Sequence, residues 1–283
     1  MDWLLDPFSA IEMQRALLAG SLAAVIFAVV GTWVVIRGMT FLGDALAHGV
    51  IPGIALAVLF GLSPLVGAVV SAVVMIAGIS FVHRQTTFSE DTGIGLMFAG
   101  MLALGVILIS SSPESVDSLQ DILFGSPLSL TPLDIGVLVA VAAVSVAGTV
   151  LLYRRLLVLA FNDQKAELFG LRPRTTHAAL LVLITLSIVA SFQTIGTLLV
   201  FGLMVGPPAT AALLVRRVPT MMFTAGIIGV LSVAGGLIIS HHASTSGSAT
   251  MALIPIILFF VVLTTKSLVT RTEGARESSV QPS

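Results

Sequence analysis

The chain has 283 residues, 57% of them hydrophobic and only 10% charged, proportions that no soluble globular domain of this length shows. With a mean hydropathy of +1.10 it reads as a polytopic membrane protein. The lack of cysteine excludes a disulfide framework and any thiolate metal site, so a bound metal must use histidine, carboxylate or backbone oxygen.

Residues 1–12 carry Asp2, Asp6 and Glu12 ahead of the first basic residue, Arg15, the reverse of a cleavable signal peptide with its basic head. This stretch is read as an extracytoplasmic segment before a retained span. Apolar runs of the ~20 residues needed to cross a bilayer fall near 13–36, 41–60, 64–82, 93–111, 134–152, 177–192, 195–215, 219–240 and 249–267. The fold class is therefore all-α, a transmembrane bundle of about 8–9 spans over 13–267, with residues 268–283 as a polar tail read as disordered from Thr270. With the N-terminus outside and the C-terminus cytoplasmic, twelve of the thirteen Lys and Arg residues lie inside, among them Arg37, Arg154, Arg155, Arg216, Arg217 and Lys266. A single helix over 177–206 is the alternative at Ser191 to Thr194, but it would export Arg216 and Arg217, so two spans are read there.

Taken in order, the first unusual stretch runs from Thr40 to Gly53. It places Asp44 and His48 where lipid excludes ionisable groups, four residues apart and hence on one helical face. Pro52 has no N–H for the carbonyl of His48, so that oxygen is expected to stand free beside the imidazole. Ala45, Gly49 and Gly53 form a small-residue ridge that admits a neighbouring helix. Between Glu167 and Glu273 there is no Asp or Glu, which leaves Asp44 as the only carboxylate well inside a span. One carboxylate with one or two imidazoles suits manganese, iron or zinc. The plainer reading is a hydrogen-bonded pair that only pins two helices.

The outer loop 112–133 has room for a short helix around Ser118 to Phe124. In the inner loop 153–177, Phe161, Leu168 and Leu171 suggest a short amphipathic helix ended by Gly170. His83 and His177 mark inner span ends and read as solvated. Gly206 with Pro207 and Pro208 is expected to stop one helix and start a short one running to Arg217 at the cytoplasmic boundary. His241 and His242 close the eighth span at its outer end, and because neighbouring helical residues point about 100° apart, one of them is a candidate for touching a permeating ion. No phosphate-binding Gly-x-x-x-x-Gly-Lys-Ser/Thr run and no His-Glu-x-x-His motif occurs, so the chain is not read as an enzyme and any ATP use falls to a partner.

Three stretches in this order resemble the membrane subunit of bacterial ABC-type zinc, manganese and iron importers, the ABC-3 permease family: Gly43 to His48 with Pro52 and Gly53; Asp121 to Gly125 with Phe161 to Gly170; and Gly196 to Val200 with Pro207 to Ala211. The resemblance implies a homo- or heterodimeric permease, two cytoplasmic ATPase subunits, an extracytoplasmic metal-binding protein, the bacterial inner membrane, and no nucleic-acid partner. The metal is the transported substrate, and no cofactor is held permanently. The metal path is carried onto Asp44 and His48, and ATPase contact onto Pro207, Pro208, Ala209, Thr210, Arg216 and Arg217. The sequence departs from the family pattern at Ala47, Gly49 and Pro208. A self-sufficient metal or proton transporter or channel, and an anchor for another protein, are the competing readings.

Overall fold

The computed structural model describes residues 6–86, 90–110, 130–161 and 173–278, and every regular element among them is helical. A 3-10 turn at Asp6–Ser9 leads into α1 (Ile11–Ile36), and the chain then turns into α2 (Thr40–Gly49) and α3 (Ile51–Leu59). There follow α4 (Pro64–Gln85), α5 (Glu90–Ser110), α6 (Pro132–Phe161), α7 (Pro173–Ile195), α8 (Thr197–Leu214), α9 (Val218–Ala243) and α10 (Gly247–Ser278). With α2 and α3 taken as one interrupted span, nine stretches among the described residues are long and apolar enough to cross a membrane.

Helices in lipid gain no hydrophobic free energy from touching one another, so they associate through close packing of small residues. α1 forms the centre because it supplies them: Ala16, Ala19, Ala23, Ala24 and Ala28 are all buried, and α6, α7, α8 and α9 pack around it. A side chain at Gly20 would strike Val233 and one at Gly229 would meet Ala24, a register that sets α1 and α9 antiparallel. Gly202 lies over Ala252 and Gly206 over Pro255, which makes α8 and α10 parallel neighbours. The outer helices α4, α6 and α10 instead turn residues such as Val70, Leu151 and Phe260 outward.

The two spans read across Ser191 to Thr194 are present: α7 and α8 are separate helices joined at Gly196, whose φ of 80° suits glycine and excludes the single helix over 177–206. Several other local expectations are corrected. Pro207 and Pro208 lie inside α8, which continues to Leu214, so no new helix starts at Pro208. The missing N–H groups deprive the carbonyls of Leu203 and Met204 of their helical donors. Gly31 of α1 fits against the Met204 carbonyl and the Pro208 ring, and this close seat keeps the segment in line. α6 carries Tyr153, Arg154 and Arg155 in helix as far as Phe161, because nothing in that run breaks it. The segments expected at Ser118 to Phe124 and at Leu168 to Gly170 lie outside the described residues, as does the side chain of His83. The tail read as disordered from Thr270 begins as a continuation of α10 through Ser278, since extending an existing helix avoids the cost of nucleation.

Candidate functional site

α2 and α3 would be one helix but for Pro52, and the backbone around it is re-satisfied locally. Val50 turns its N–H to the carbonyl of His48, and the carbonyl of Gly49 accepts a hydrogen bond from the hydroxyl of Ser71 on α4 at 2.8 Å. The carbonyl of His48 is therefore not free, because the chain bends at Val50 and brings that residue's own N–H within reach. α3 then restarts with the N–H of Ile54 donating to the carbonyl of Val50 at 3.1 Å. Ser71→Ala is expected to destabilise the fold by about 0.6 kcal/mol and at most ~1.5 kcal/mol through loss of this buried donor, read as a lower Tm in detergent. Ser71→Thr, which keeps the hydroxyl, should lose less.

The small-residue ridge receives α4. Met75 fills the space at Gly49, the backbone of Gly67 lies directly against Gly53, and Ala45 is fully buried. On another side of α2, Met204 of α8 covers Gly43. These contacts fix the rotation of α2 and leave Asp44 and His48 together on the remaining face. Their side chains are 28% and 23% exposed, so an ion can reach them although much of their hydration is gone.

Nδ1 of His48 lies 3.4 Å from Oδ1 of Asp44 and 3.1 Å from the Asp44 backbone carbonyl. A carbonyl only accepts, so Nδ1 carries the hydrogen, and in the neutral ring Nε2 presents the lone pair. Metal-binding histidines are oriented in this manner, with the second nitrogen tied to an oxygen. Phe98 of α5 stands edge-on to the imidazole at 6.0 Å between ring centroids, and Phe41 stands edge-on to Phe98 at 5.5 Å. Among the described residues no third His, Asp or Glu joins the pair. Two ligands make half of a tetrahedral shell, so water, backbone or another chain must supply the rest.

The other candidates lie apart. Gly43 of α2 and Gly31 of α1 both sit against Met204, whereas Gly20 of α1 sits against Val233 of α9. At 1.5 Å per residue, the path from Gly31 to Gly20 and on from Val233 to His241 is about 28 Å along the bundle. His241 and His242 thus belong to the far end of the molecule, and both are exposed, because the last turn of α9 projects clear of its neighbours. His177 is half-buried near the start of α7. Pro207, Pro208 and Thr210 are buried within the chain and Ala209 is half-buried, whereas Arg216 and Arg217 are exposed in the turn between α8 and α9. Ser71, Phe98 and Met204 were not foreseen. Their only sequence signal is residue type, since each reaches the site from a distant helix.

The architecture agrees with that of known proteins. A profile of the ABC 3 transport family matches residues 10–266. The manganese transport system membrane protein MntC of Listeria monocytogenes is 34% identical over 249 residues, covering 88% of this chain and 89% of its own. The chelated iron transport system membrane protein YfeD of Yersinia pestis is 30% identical over 258 residues, covering 91% and 86%. Among solved structures, PsaBC from Streptococcus pneumoniae in complex with Fab superposes with a TM-score of 0.81 at 29% identity, covering 92% of this chain and 94% of that one. A family match across almost the whole length, together with relatives this similar, makes the chain a polytopic membrane member of the ABC 3 transport family.

Proposed function

We propose that the chain is a permease subunit of an ATP-driven importer of a divalent transition metal in the bacterial inner membrane, and that Asp44 and His48 hold the ion in transit. Manganese and iron are the metals named for its relatives, and zinc also fits the ligand types. The observation that carries this reading is the half-exposed carboxylate and imidazole beside a broken span. A charge at such a depth costs about 3 kcal/mol or more, and irregular backbone at membrane depth occurs where protein or a hydrated path surrounds it. Two ligands per chain, presented on an open face, suit a pair of permease subunits in which a second Asp44 and His48, or their counterparts, complete a four-ligand shell. An extracytoplasmic binding protein delivers the metal, and two cytoplasmic ATPase subunits drive alternation of access.

The orientation, N-terminus outside and C-terminus inside, is supported by the gathering of cations at one end. Lys266 donates to the carbonyl of Leu213 at 2.6 Å, beside the turn that bears Arg216 and Arg217. That turn is the segment proposed to meet the ATPase. Since Pro207, Pro208 and Thr210 are enclosed by this chain, they act by stiffening the helix behind it.

The test is metal uptake by proteoliposomes holding the permease with or without its ATPase subunits. Uptake that requires both ATP and the ATPase supports the importer, whereas equal uptake by the permease alone would establish the channel or secondary transporter. The double variant Arg216→Glu/Arg217→Glu is expected to cut ATP-driven uptake more than tenfold and to leave metal binding unchanged, as measured by uptake and by metal content of the purified complex.

A further inference from the structure

We propose that Phe98 is a positioning residue of the transit site: it holds the plane of the His48 imidazole and so sets how strongly the Asp44 and His48 pair prefers zinc to manganese. This role rests on the reading that the pair holds the ion.

Phe98 meets the pair from another helix. Gly95 of α5 lies against the ring of Phe41, and Gly105 lies against Ile51 and Pro52. Gly95 with Phe41 and Gly105 with Ile51 are separated by the same number of residues, so α5 runs beside α2 and α3 in the same direction, and that offset sets Phe98 level with Asp44. Phe41, Asp44 and His48 follow one another at three and four residues, which is one stripe of a helix. The Phe98 ring meets both ends of that stripe, with centroids 5.5 Å from Phe41 and 6.0 Å from His48.

The hydrogen bond from Nδ1 to the Asp44 carbonyl, 3.1 Å long, holds one corner of the imidazole. A single bond is a pivot, and the Phe98 ring, at 88° to the imidazole, keeps the plane from tilting about it. The tilt matters because of where the donor electrons lie. The neutral ring offers a metal one lone pair in its own plane on Nε2, whereas the Asp44 carboxylate offers about four directions on two oxygens. A loosened imidazole therefore aims poorly, and a carboxylate hardly suffers. Nitrogen counts for more in a zinc shell and oxygen in a manganese shell, so loss of the ring contact falls mainly on zinc. Phe98 itself supplies no ligand.

Zinc and manganese binding to the purified importer complex in lipid nanodiscs, measured by equilibrium dialysis without nucleotide, tests the proposal. Phe98→Leu keeps apolar bulk between α2 and α5 but has no flat ring. It is expected to weaken zinc binding about three- to tenfold, the worth of one aromatic edge contact, and manganese binding less than about twofold. Phe98→Tyr, which keeps the ring, should hold the ratio of the two affinities within about twofold of the unaltered protein. Added to His48→Ala, Phe98→Leu should weaken the residual zinc binding no further, because a positioning residue acts only through what it positions. Equal losses of zinc and manganese in Phe98→Leu, or a further loss on the His48→Ala background, would make Phe98 plain packing and overturn the proposal. Unchanged zinc binding in Phe98→Leu would overturn it as well, while leaving the transit site in place. Failure of the transit site reads differently: His48→Ala would then leave zinc binding intact, and the role of Phe98 would fall with it.

Discussion

Asp44→Ala is expected to reduce ATP-dependent metal uptake to the level of empty vesicles, a loss of at least a hundredfold, while the subunit still inserts and assembles. Each 1.36 kcal/mol is a factor of ten, so a hundredfold loss needs about 2.7 kcal/mol, within reach of losing the one carboxylate of a partly desolvated site. A cation entering the altered site has lost water and gained no negative charge in return. Asp44→Asn, which keeps the shape of the side chain, should fare little better, since an amide supplies no net charge. His48→Ala is expected to reduce zinc uptake more than manganese uptake, because it removes the borderline nitrogen donor and leaves the hard oxygen. Uptake of radioactive manganese and zinc by reconstituted complex checks both. Undiminished uptake in the Asp44 and His48 variants alike would remove these residues from the path.

The second large effect is structural. Gly53→Val is expected to abolish recovery of monodisperse protein, and Gly67→Val to do the same from the opposite side. A Cβ at Gly53 would overlap the carbonyl of Gly67, and one at Gly67 would overlap the carbonyl of Gly53, so each collision is with backbone that has no rotamer to change. Overpacking at sites where side chains do adjust already costs ~1–3 kcal/mol. Gly136→Ala is the matched control, since a Cβ there meets nothing within 4 Å. Size-exclusion profiles and Tm in detergent should separate the two classes, and a normal profile for Gly53→Val would show that α3 and α4 separate at little cost.

How much of this was legible in the sequence depends on the range of the interactions. The nine apolar stretches follow from local composition alone, and so does the shared face of Asp44 and His48, which needs only a helix between them. Pro52 reads only as releasing the carbonyl of His48 within a single span over 41–60; neither the break into α2 and α3 nor how the released carbonyls are met is foreseen. The hydroxyl on the Gly49 carbonyl comes from Ser71, and nothing local predicts it. At Pro207 and Pro208 the local rule failed outright. Proline opposes continuation of a helix, yet α8 continues, held between Gly31 on one side and Gly229 and Pro255 on others. Tertiary packing there outweighs a propensity worth ~3 kcal/mol per proline. The histidines at 241 and 242 were legible as a pair, but not their distance from Asp44, which depends on the register of α1 against α9.

The bend at Val50 divides one span into two arms held by different contacts. α3 is clamped to α4 backbone-to-backbone at Gly53 and Gly67, while His48 on α2 meets the edge of Phe98. Asp44 stands six residues from the bend, a lever of about 9 Å. A rotation of about 20° at Val50 would sweep its carboxylate through about 3 Å, more than the length of a metal–oxygen bond of ~2.1 Å. If Asp44 holds the transported ion as proposed, a bend of that size would release it without any helix unfolding.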